Sequence, residues 1–92
     1  MKEQGVCLIV GKTIERVIVK RHKEDWIRPA VQVFLIFTDG TSYEIYSADG
    51  IGLPSGLDKG GREEVLRYLS NEMEVTCEGF LDENKEIVCV RK

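Results

Sequence analysis

The chain has 92 residues, 42% hydrophobic and 32% charged, with a formal net charge of -3. These values suit one globular domain spanning 1–92 and exclude a disordered chain or a strongly basic nucleic-acid binder. No apolar run approaches the roughly 20 residues of a membrane span, and Val6 to Val10 is too short and too soon followed by charge to read as a secretion signal.

Gly5 to Val10 reads as a first strand, stopped at Gly11. Gly11-Lys12-Thr13 resembles the end of a phosphate loop, but the glycine needed five residues earlier is Val6, so a strand ending in a glycine turn is the better reading. Thr13 to Arg21 is a second strand, favoured by the β-branched Val17-Ile18-Val19. Ile14, Val17 and Ile18 also fit a helical spacing, and that alternative stays open.

Residues 1–31 hold seven basic against four acidic side chains, the excess lying mostly in Lys12, Arg16, Lys20, Arg21, Lys23 and Arg28, whereas residues 32–92 hold six against twelve. Such an excess supports a nucleic-acid accessory role only weakly, because the acidic remainder repels phosphate. His22 to Pro29 is a charged connection around Trp26, which either forms a partner-binding hot spot or folds back over a sheet edge.

Val31 to Tyr46 is a hairpin turning at Asp39-Gly40. A three-residue loop with Gly40 left-handed aligns Val33, Leu35 and Phe37 with Tyr43 and Ile45, and gathers more apolar surface than the two-residue alternative. Ser47 to Gly61, with five glycines and Pro54, reads as the most mobile loop of the chain. Lys59, Gly60 and Gly61 are its candidate ligand residues: a cation beside a helix N-terminus whose free N–H groups receive anions. Asp49, Asp58, Glu63 and Glu64 oppose an anion there.

A helix follows from about Gly61 to Met73, with Val65, Leu66, Leu69 and Met73 as its apolar stripe. Two last strands, about Glu74 to Leu81 and Glu86 to Arg91, turn at Asp82 to Lys85. With Asn84 left-handed, Cys77 falls opposite Cys89.

The three cysteines, Cys7, Cys77 and Cys89, show no CxxC or CxxH spacing and lie in apolar segments, which predicts inert free thiols, no metal and a reducing cytoplasm. His22 has cations beside it and no carboxylate to orient it. No nucleophile–base–orienter set can be assembled, so no enzyme and no cofactor are expected.

The expected fold is α+β: an antiparallel sheet of five to six strands with one α-helix on one face, in the order β-β-β-β-α-β-β. Val33, Leu35, Phe37, Ile45, Val65, Leu66 and Leu69 form the expected core. Phe34, Ile36 and Tyr46 are left on the second face and, with Trp26, make the candidate interface. A chain of this size buries only about 60–65% of its unfolded surface, so a second copy would enlarge a thin core. The leading functional reading is thus a structural or protein-interaction module that forms a homodimer. The alternative is a small-ligand or anion-binding module using the loop 47–61.

Overall fold

Asp39 and Gly40 set the central hairpin. Asp39 Oδ1 accepts the backbone N–H of Thr41 at 3.0 Å, Gly40 adopts φ +84°, and its N–H donates to the Phe37 carbonyl at 3.2 Å. The outcome is the three-residue register, with Leu35 opposite Tyr43 and Val33 opposite Ile45. Few side chains other than glycine's tolerate that φ, so the turn residue selects the register.

The computed structural model describes residues 5–24, 26–27, 30–46 and 57–92, excepting the side chains of 5, 6, 46, 57 and 58. The elements are β1 (Ile14–His22), β2 (Val31–Phe37), β3 (Thr41–Tyr46), β4 (Leu57–Lys59), α1 (Arg62–Arg67), β5 (Met73–Leu81) and β6 (Ile87–Arg91), preceded by a 3-10 helix at Gly5–Ile9. The strands form one antiparallel sheet in the order β4-β3-β2-β1-β5-β6. The fold is therefore α+β.

Two of the expected elements are corrected. Gly5 to Val10 is not a strand. Both edges of β1 are taken, by β2 and β5, so a segment only a few residues upstream finds no free edge there. It closes instead into 3-10 turns, Val10 N–H donating to the Cys7 carbonyl and Lys12 N–H to that of Ile9. The helix is also shorter than Gly61 to Met73. Because Met73 must already pair with His22 on β1, the chain reverses early. Tyr68 is extended and Leu69 is left-handed at φ 47°, so Leu69 and Met73 lie outside the helix.

The core lies between α1 and the sheet: Ile18, Phe34, Ile36 and Val65, with Leu66 and Val75 against them. Each such side chain contributes about 1.5–3 kcal/mol on burial. The expected register is present, but the face turned to the helix is the opposite one. Val33 and Leu35 lie away from α1, whereas Phe34 and Ile36 are buried beneath it and do not belong to an interface. Both faces of β2 are apolar, so its own residues do not decide which one the helix covers.

Candidate functional site

On the helix side, pleating places Arg16, Ile18, Lys20 and His22 of β1 on the same face as Phe34, Gln32, Ser42 and Glu44 of β2 and β3, and as Glu78 and Phe80 of β5. Lys20, Gln32, Ser42 and Glu78 are all buried, and two of them, Lys20 and Glu78, fasten α1 at its two ends. Arg62, the first helical residue, donates from Nε to Glu78 Oε2 at 2.6 Å, and Arg16 donates to the same oxygen. The hydrogen bond from Arg62 and that from Arg16 hold the Glu78 carboxyl below the usual range although burial pushes it up. At the other end Lys20 Nζ donates to the Val65 carbonyl at 3.0 Å and to the Tyr68 carbonyl. Its ammonium lies about 6 Å from the Phe34 and Tyr68 ring centroids, at 6.0 and 5.9 Å. Burial pushes the Lys20 pKa down.

Beside this latch a cavity of about 280 Å³ is lined by Phe34, Ser42, Glu44, Lys59, Glu64, Val65 and Tyr68. Phe34 and Tyr68 meet edge to face with centroids 5.9 Å apart and form its apolar wall. Gln32 Nε2 donates to Glu44 Oε2, which orients that carboxylate. Two carboxylates and one ammonium make the rim acidic.

Of the loop residues singled out in the sequence, Lys59 lies at the cavity, exposed at the end of β4. Gly60 takes φ +118° and spends its N–H on the Gly40 carbonyl at 2.9 Å. Gly61 is the N-cap residue and accepts from Val65 N–H at 3.1 Å. The helix behind it is only six residues long, with Glu63 and Glu64 in its first turn. The features that suggested an anion are thus weaker than the glycines implied. Residues 47–56 of the expected mobile loop lie outside the described residues, and 57–59 are strand β4. Glu44, Gln32 and Tyr68 escaped notice in the sequence. Only the Ser42–Glu44 alternation on β3 hinted that this face carries polar groups.

The face away from α1 is the more apolar one. Val17, Leu35 and Tyr43 align across three strands, and so do Val19, Val33 and Ile45, with Gly79 continuing the first row and Cys77 the second on β5. At one end Tyr43 and Phe37 are buried, next to the 3-10 helix, where Cys7 comes close enough to Tyr43 to add to the effect of burial in pushing its phenol up. Elsewhere the rows are half-buried, and Val31 and Ile45 are exposed. Gly79 leaves a dent of about 270 Å³ flanked by Val17, Leu81, Ile14 and Ile87.

Trp26 stands 77% exposed and does not fold back over the sheet. Tyr46 ends β3 opposite Gln32, with its side chain outside the described residues. His22 is buried, and its Nδ1 has no hydrogen-bond partner among the described residues. The cysteines are not deep in the fold as expected: Cys7 and Cys89 are exposed and Cys77 is partly so. Among the described residues no group of three or more His, Cys, Asp or Glu side chains could hold a metal, and no helix is long and apolar enough to cross a membrane. Comparison with protein-family models, with curated proteins and with solved structures finds no match to this chain.

Proposed function

We propose that the chain is a protein-interaction module that pairs with a second copy through the sheet face opposite α1. The observation that carries this reading is the pair of apolar rows, Val17–Leu35 and Val19–Val33–Ile45, left half-exposed while α1 covers the other face of the same sheet. Arg21 and Glu74, paired across β1 and β5, and Arg91 opposite Cys77 bring both charge signs to the rim. A two-fold copy therefore meets no single-sign field, and the same patch is buried twice. Sedimentation equilibrium at micromolar concentration should give twice the 10.4 kDa chain mass. Leu35→Lys should return it to one chain with unchanged circular dichroism. A monomer at every concentration would sink the proposal.

The cavity beside Lys59 supports a second reading, a small-ligand module. With Glu44 and Glu64 on its rim, it suits an amine better than a phosphate. Calorimetric titration with inorganic phosphate and with a small diamine separates the two, and heat from neither removes the reading.

A further inference from the structure

We infer that Cys77 and Cys89 form a redox-active dithiol on the open sheet face, oxidised by a hydroperoxide, with Cys89 as the attacking thiol and Cys77 as the resolving one. This rests on the thiols alone: they stand at the β5–β6 edge of that face, beside the β1 to β3 rows proposed to meet a second copy. The two cysteines are twelve positions apart and flank the last hairpin. They are not direct partners: Cys77 lies opposite Arg91, and Cys89 opposite Gly79. Their diagonal places both on the open face, and their sulfurs stand 3.7 Å apart. Gly79 is the reason they can meet. Its missing side chain leaves Cys89 without a direct neighbour, so the thiol leans toward Cys77.

Exposure assigns the roles. Cys89 is exposed, and Cys77 is partly covered. The two sulfurs share one hydrogen bond, which pushes the Cys77 pKa up and makes Cys77 the less reactive of the pair. In the first step the Cys89 thiolate attacks one peroxide oxygen. An S–O bond forms, the O–O bond breaks, and hydroxide leaves to take up a proton as water. In the second step Cys77 gives up its proton and its sulfur attacks the Cys89 sulfenic sulfur. The S–S bond forms, the S–O bond breaks, and a second water leaves. The dithiol loses two electrons and two protons, and hydrogen peroxide is reduced to two waters. A thiol reductant reverses the change. The bond would tie the edge strand β6 to β5, closing a loop in the unfolded chain as well.

The test uses Cys7→Ser protein, to silence the third thiol, treated with equimolar hydrogen peroxide and then alkylated. The expected product has lost two hydrogens, contains one peptide linking Cys77 to Cys89, and regains both thiols on reduction. In the Cys77→Ser variant of that protein a sulfenic acid on Cys89 should accumulate and be trapped by dimedone. In the Cys89→Ser variant Cys77 should react roughly tenfold more slowly. Two thiols still open to alkylation, sulfinic Cys89 without the link, or a link between two chains would each overturn the inference. Equal rates for the two single-thiol variants would overturn the assignment of roles.

Discussion

Lys20 Nζ, buried at 1% exposure, donates to the Val65 carbonyl 3.0 Å away and so caps the C-terminal end of α1 from beneath. The last carbonyls of a helix have no intrahelical partner and carry the negative end of its dipole. A cation at that point stabilises a helix too short to hold itself. Lys20→Met should cost about 1–3 kcal/mol in urea unfolding, since buried acceptors lose their donor. An unchanged midpoint would mean that water or another group satisfies them equally well.

Glu78 makes the other fastening sensitive to acid. Its folded pKa is lowered, first by the hydrogen bond from Arg62 and then by that from Arg16. The stability it contributes is therefore fully present above the unfolded value of about 4.3 and is lost as pH falls through the folded value. The urea midpoint should hold steady above about pH 5 and fall below about pH 4. Glu78→Gln should lower stability at neutral pH by about 1–3 kcal/mol and flatten the acid decline. Asp39, held at about 2 by Lys12 and Thr41, titrates in the same direction at lower pH, so Asp39→Asn is the control for the remaining slope. A Glu78→Gln profile parallel to that of the parent would contradict the assignment.

Phe34 and Leu35 are neighbours on opposite faces of β2, and truncation should tell them apart. Phe34→Ala empties the space under α1 and should cost about 3–5 kcal/mol. Leu35 is half-buried on the open face, so Leu35→Ala should cost the monomer about 1 kcal/mol. Chemical denaturation of both variants at low protein concentration decides the order, and a larger loss at Leu35 would reverse the assignment of faces.

Gly40 and Gly60 both have positive φ, at +84° and +118°, yet differ in surroundings. A Cβ at Gly40 meets open space, whereas one at Gly60 collides with the Glu64 side chain. Gly40→Ala should cost about 1 kcal/mol and Gly60→Ala about 2–3 kcal/mol, as strain and a clash add. Equal thermal midpoints for the two variants would show that Glu64 simply moves aside.

Trp26 is the single tryptophan and is exposed, so the folded chain should emit like indole in water and be quenched freely by iodide. A blue shift as concentration rises into the micromolar range would place Trp26 in the contact between copies. No shift accompanying a doubled mass would leave that contact to the sheet face alone.

Much of this architecture is decided by local chemistry that the sequence displays directly. Asp39-Gly40 sets the register of β2 on β3 because glycine alone takes the required φ at no cost, and the alternation on β3 and the β-branched run in β1 specify strands without reference to anything distant. What lay beyond the sequence depends on which surfaces meet. Phe34 and Leu35 are equally apolar, and only the fastening of α1 by Lys20 and Glu78, which stand on that same face, turns Phe34 inward. Gly5–Ile9 carries strand-forming residues but finds β1 already paired on both edges. Cys77 and Cys89 come together through a last hairpin whose left-handed residue is Lys85 at φ 65° rather than Asn84. The register that follows sets Gly79, not Cys77, opposite Cys89, and the sulfurs meet on the diagonal because glycine leaves that place empty.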